Sequence, residues 1–95
     1  MAQVRWTNEA MDDLQASQNY AEAYADRLTT QLIKATRMLE NFPEAGRMVP
    51  EVAHPAVREV LKNGYRIVYR IVSPVRIDIL RIHSGARPVT ALALQ

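Results

Sequence analysis

Apolar and polar residues alternate from Ala2 to Trp6, with Val4 and Trp6 on one face and Gln3 and Arg5 on the other. That alternation predicts a short strand. Past Thr7 the period changes. Apolar or small residues recur at three- and four-residue spacing: Met11, Leu14, Ser17, Ala21, Ala25, Leu28, Leu32, Ala35, Leu39 and Phe42. One unbroken helix over that stretch would be roughly 50 Å long at 1.5 Å per residue. A domain of this length has a radius of gyration of only ~12 Å, so such a helix could not bury its stripe on its own domain. The pattern therefore predicts two antiparallel helices, about 7–22 and 26–41, capped by Thr7 and Asp26. Glu9, Asp12 and Asp13 suit the positive end of the first helix. Phe42-Pro43 ends the second, because the residue before a proline avoids the helical region. The stripe reads as core, being too short and too alanine-rich for a coiled-coil seam.

"PEAGRMVPEVAHP" follows, with three prolines and one glycine, and predicts an ordered loop or an irregular sheet edge. The remainder reads as sheet. Val57 to Lys62 and Tyr65 to Val72 are apolar-rich runs joined by Asn63-Gly64, the signature of a hairpin with a type I′ turn. Ser73-Pro74 makes a second turn before a strand from Val75 to His83. A two-residue turn sets the pairing: Lys62 opposite Tyr65, Leu61 opposite Arg66, Glu59 opposite Val68, Val57 opposite Arg70. One face then carries Val60, Tyr65, Ile67, Tyr69 and Ile71, and should pack under Leu14, Leu28, Leu32 and Leu39. Arg58 and Lys62 share that side and must reach past its rim. The other face carries Val57, Glu59, Leu61, Arg66, Val68 and Arg70, with Glu59 diagonally between the two arginines. Apolar residues beside arginines predict a groove that another chain covers. In the last strand Ile77 and Ile79 share one face and Leu80 and Ile82 the other, which implies a central strand or a bulge. "VTALALQ" is a last short strand or a flexible end.

Charge sharpens this picture. Residues 1–57 hold five basic and eight acidic side chains, 5 − 8 = −3, and residues 58–95 hold seven and two, 7 − 2 = +5. A basic sheet half attracts an anionic partner, nucleic acid or an acidic protein segment. At 95 residues the chain is expected to be one domain, 1–95. It has no cysteine, no stretch near the length of a membrane span and no apolar core of a secretion signal at its N-terminus, so a cytoplasmic protein is expected. His54 and His83 fall on separate elements, which argues against a metal site, and no phosphate or dinucleotide motif implies a cofactor. Tyr65 and Tyr69 fall on the buried face and make poor base-stacking platforms.

The order of elements, with "VRWTNEAMDDL", "LENFPEAGR", "VREVLKNGYRIVYRI" and "ILRIHSGAR", resembles the RelE/ParE toxins of bacterial type II toxin–antitoxin modules, over positions 4 to 88. The resemblance implies an α+β fold: an N-terminal strand, then a helical hairpin packed on one face of a mostly antiparallel sheet. It implies a cognate antitoxin, ParD-like or related, and contact with operator DNA only through that antitoxin. It implies one of two activities. RelE-like members cut messenger RNA inside the ribosome; ParE-like members, of the plasmid-stabilisation type, poison DNA gyrase. RelE-type nucleases place lysines at the positions of Val57 and Glu59, arginines matched by Arg66 and Arg87, and a tyrosine where this chain has Ala93. Both lysines and the tyrosine are missing, so the chain is similar to the ParE-like branch and an inhibitory binding protein is expected. If it were a nuclease, Glu59 and His83 would be the acid–base pair, with Arg66 and Arg87 on phosphate. The antitoxin is expected on Val57, Leu61, Arg66, Val68 and Arg70, and the target on Arg81 and Arg87.

Overall fold

The computed structural model describes residues 1–16 and 22–84. Ser17, Ala21, Arg87, Ala93 and the "VTALALQ" tail lie outside the described residues. The chain runs β1 (Gln3–Trp6), α1 (Asn8–Ala16), α2 (Glu22–Met38), β2 (Arg47–Met48), β3 (Val57–Lys62), β4 (Tyr65–Ser73) and β5 (Arg76–Ser84). The strands form one sheet in the order β1-β5-β4-β3-β2. Only the β1–β5 pairing is parallel, and the others are antiparallel. This is the α+β architecture expected, with the helices on one face.

The hairpin register is the one the Asn-Gly turn dictates: Lys62 pairs with Tyr65, Leu61 with Arg66, Glu59 with Val68 and Val57 with Arg70. Asn63 (φ 52°) and Gly64 (φ 77°) both adopt the left-handed conformation that a type I′ turn demands. The core gathers Leu28, Leu32 and Leu39 over Ile67, Tyr69, Ile77, Ile79 and Ile82, with Leu14, Val60, Tyr65 and Ile71 packed against it. The ambiguous phase of β5 resolves as a bulge. Val68 pairs with Arg81 while Tyr69 pairs with Ile79, so Leu80 is the extra residue. The bulge returns Ile82 to the face of Ile77 and Ile79, and all three enter one core.

Three expectations about the elements need correction. α2 begins at Glu22, so Asp26 lies inside it and caps nothing. Neither Gly nor Pro punctuates the stretch, and the 3.6-residue stripe continues through it, so periodicity alone could not locate the break. α2 also stops at Met38, before Pro43 is reached, as Leu39 and Glu40 donate to the carbonyls of Thr36 and Arg37 at 3.1 and 3.0 Å and tighten the last turn. Finally, Ala10 is buried and Met11 exposed, because the cap fixes the phase of α1. The Thr7 hydroxyl accepts the Ala10 N–H at 3.1 Å and donates to the Ile79 carbonyl at 2.8 Å, locking the helix onto β5.

Candidate functional site

The outer face of the sheet differs from the open groove expected of it. Residues 49–56 cross it as a strap. Val49 and Val52 pack on Val57 and Val68 and form a second, smaller apolar cluster. Val57 and Val68 are buried, Arg66 is buried beside them, and of the five residues assigned to the antitoxin only Leu61 and Arg70 stand exposed. The groove is filled by the chain's own loop, because a valine at 49 and another at 52 offer the apolar cover that Val57 and Val68 require.

Charge fastens the strap. Glu59, on β3, is buried with a 0% exposed side chain, so its carboxylate needs partners. Its Oε1 accepts from Arg66 Nε at 2.5 Å and its Oε2 from Arg47 Nε at 2.7 Å. The other two nitrogens of Arg66 fork onto Glu51 at 2.7 and 2.8 Å, the bidentate geometry that suits guanidinium to carboxylate. Arg47, Glu59, Arg66 and Glu51 thus form one row of alternating sign and zero net charge. The bonds to Glu51, and next those to Glu59, raise the Arg66 pKa above its ordinary value and keep it cationic. Although Glu59 lies diagonally between Arg66 and Arg70, it makes no ion pair with Arg70. Arg47 takes that place, and Arg70 makes no ion pair among the described residues.

The start of the strap is set by a close approach. The Gly46 N–H donates to the Tyr69 hydroxyl at 2.9 Å, and that hydroxyl donates to the Pro43 carbonyl at 2.7 Å. A Cβ on Gly46 would lie 2.6 Å from the Glu59 carbonyl and 2.7 Å from the Tyr69 hydroxyl, so the position admits only glycine without a shift. Arg58 reaches past the rim to the carbonyls of Pro55 and Gly46, each at 3.0 Å. Burial, before any other influence, pushes the Tyr69 phenol above its ordinary range.

The candidate nuclease residues come together only in part. Glu59 and Arg66 are in contact, and His83 pairs in register with Arg66 on the neighbouring strand. Arg87 lies outside the described residues. His54 is remote in role: its Nδ1 accepts the Ala56 N–H at 3.1 Å and closes a turn. Arg81, expected to meet the target, is held by α1. It donates to both carboxylate oxygens of Asp13 at 2.7 and 2.9 Å, and Asp13 also accepts the Ile82 N–H at 2.9 Å. Asp13 raises the Arg81 pKa in turn. No group of His, Asp or Glu suited to a metal ion occurs among the described residues. No described helix is long and apolar enough to cross a membrane.

Comparison with known proteins places this geometry. Residues 4–89 match the family described as the ParE toxin of type II toxin-antitoxin system, parDE. This chain belongs to the ParE toxin family. Toxin RelE2 of Caulobacter vibrioides is 32% identical over 91 residues, covering 92% of this chain and 99% of that protein. A chain of the chromosomal ParDE TA system from P. aeruginosa shares the fold, with a TM-score of 0.70 at 23% identity, over 88% of this chain and 96% of its own. As a type II toxin of the ParE/RelE family, the protein has a cognate antitoxin as its partner. Sequence reasoning missed four residues of this ParE-family toxin's outer face and its flank: Asp13, Arg47, Glu51 and Gly46. The "FPEAGR" motif contained a usable signal, since a glycine between a proline and an arginine marks a place where backbone approaches closely.

Proposed function

We propose that this toxin acts as an inhibitory binding protein on DNA gyrase and does not cleave messenger RNA. One observation carries the reading. Glu59 and Arg66 are bonded to each other and to Arg47 and Glu51 under the strap. Both Glu59 oxygens already accept from guanidinium groups and the side chain is fully buried, so the carboxylate is out of reach of a substrate hydroxyl. An arginine forked onto one carboxylate and touching a second has little to offer a phosphate, so the developing charge of a phosphorane would go unstabilised. The match to a family named for ParE supports the same side. The relative named Toxin RelE2 supports, by its name alone, the alternative of a ribosome-dependent nuclease. The antitoxin is proposed to be ParD-like, the setting cytoplasmic, and the role stabilisation of the replicon that encodes the pair. Arg87, just past β5, remains the residue proposed for the target.

The test adds purified toxin to two reconstituted systems. Gyrase-driven supercoiling should fall in proportion to toxin, with cleaved DNA accumulating. Messenger RNA on translating ribosomes should stay full length. Codon-dependent cleavage with unimpaired gyrase would reverse the assignment.

A further inference from the structure

Asn63-Gly64 closes the β3–β4 hairpin, and its chemistry sets it apart from the other asparagines. An asparagine side chain can be attacked at Cγ by the backbone nitrogen of the next residue, and a following glycine puts no side chain in the way. The other asparagines precede larger residues: Asn8 precedes Glu9, Asn19 precedes Tyr20 and Asn41 precedes Phe42. Asn63 and Gly64 are both exposed. A Cβ on Gly64 would meet nothing within 4 Å. The Gly64 N–H, in the turn between the paired Lys62 and Tyr65, donates no hydrogen bond among the described residues. The surroundings are cationic. Arg27, Leu28, Gln31 and Asn63 line a hollow of about 400 Å³ between α2 and the turn, with no carboxylate among its described lining residues. Lys62 adjoins Asn63 in the chain, and Lys62 and Arg27 are exposed and in no ion pair among the described residues. Asp26, beside Arg27 in sequence, lines a separate hollow. One contact restrains the asparagine: its Nδ2 donates to Gln31 Oε1.

We propose that Asn63 is a site of spontaneous deamidation, assisted by Arg27 and Lys62 and restrained by Gln31. The Gly64 nitrogen loses its proton and bonds to Asn63 Cγ. The Cγ–Nδ2 bond breaks, and ammonia leaves with that proton. Water then opens the resulting cyclic succinimide. Cleavage of the new Cγ–N bond gives aspartate; cleavage at the main-chain carbonyl gives isoaspartate. Water is consumed and ammonia released in equal amounts, and no oxidant or reductant is needed. Negative charge builds on the nitrogen as it deprotonates and on the side-chain oxygen as the tetrahedral adduct forms, so neighbouring cations lower the barrier. The same cations then hold the product carboxylate, with Arg27 sharing its hollow. The two products differ in consequence. Aspartate keeps the turn, since Asp-Gly suits a type I′ turn as Asn-Gly does, and it lowers the formal net charge of +2 by one. Isoaspartate lengthens the main chain of a two-residue turn. The register that sets Leu61 opposite Arg66 and Glu59 opposite Val68 then loses the closure that fixed it.

Ageing the purified full-length toxin at mildly alkaline pH, followed by peptide mapping with mass spectrometry, tests the proposal. Acid should accumulate at position 63 at least tenfold faster than at Asn8 or Asn41. Arg27→Ala combined with Lys62→Gln should slow the conversion several-fold, and Gln31→Ala should quicken it several-fold. All three side chains are exposed, and circular dichroism verifies that each variant folds. Asn63→Asp gives a second readout. It should co-elute on ion exchange with the aspartate fraction of aged protein and unfold at the parent's urea midpoint, whereas the isoaspartate fraction should unfold at lower urea. Conversion at Asn63 no faster than at Asn8 and Asn41 would overturn the assignment. So would a rate that the Arg27 and Lys62 replacements leave unchanged, or one that Gln31→Ala does not raise.

Discussion

The two faces of one sheet are sealed by different physics. The helix-facing side buries Ile67, Tyr69, Ile77, Ile79 and Ile82 under α1 and α2, side chains large enough to close without help from charge. The strap-facing side has three buried valines and too little apolar area to hold a loop by itself. There the chain uses Arg47, Glu59, Arg66 and Glu51, and places a fully buried carboxylate between two guanidinium groups. The difference teaches that an arginine in a strand alternation need not be a binding residue. In this molecule several of them are fasteners, each held by a carboxylate of the same chain.

Mutation can break the comparison at its strongest point. Arg66→Ala removes the guanidinium that joins Glu59 to Glu51, leaving a buried carboxylate with one partner; the cost should be about 3–5 kcal/mol. Urea unfolding measures it, and protease cutting within 49–56 should quicken because the strap loses its anchor. A loss under 1 kcal/mol would show that the strap is held by its valines alone.

The inner face gives the next effect. Ile67→Ala opens a cavity in the main core and should cost about 2–4 kcal/mol, whereas Val68→Ala, the next residue on the opposite face, should cost only about 1–2 kcal/mol. Unfolding midpoints of the pair, measured side by side, sharpen the contrast. Equal losses would mean that the two cores are equivalent, against the inventory of their side chains.

Tyr69 links the faces, and its effect is smaller than that of Arg66 or Ile67. Tyr69→Phe leaves the Gly46 N–H and the Pro43 carbonyl without their shared partner and should cost about 1–3 kcal/mol. The pH dependence follows from burial raising the phenol's pKa. Below pH ~10 both folded and unfolded chains hold the proton, and the contribution is complete. Above it the unfolded chain loses the proton first, so stability falls as pH rises toward the folded value. Thermal melts from pH 8 to 11 should show a shallower alkaline decline in the phenylalanine variant than in the parent; parallel declines would remove Tyr69 from that role.

How much of this was legible beforehand depends on how local the cause is. Asn63-Gly64 needs two left-handed residues and admits one pairing, so the β3–β4 register and its two faces could be written down from the sequence. Thr7 as cap, the inward set from Val60 to Ile71, and the bulge or central position implied by Leu80 and Ile82 were equally local in origin. The family, too, was readable from motifs and element order. What tertiary structure alone decided is which opposite charges meet. Asp13 and Arg81 are 68 positions apart, and Glu51 and Arg66 are 15 apart across a loop with no period of its own. Asp13 had an adequate local explanation at the helix start, and nothing in its neighbourhood pointed to β5. Electrostatic partners are chosen by distance in space after the chain has folded, and neither hydrophobic period nor turn chemistry encodes that distance. The outer face therefore read as an open groove until the strap was seen lying across it.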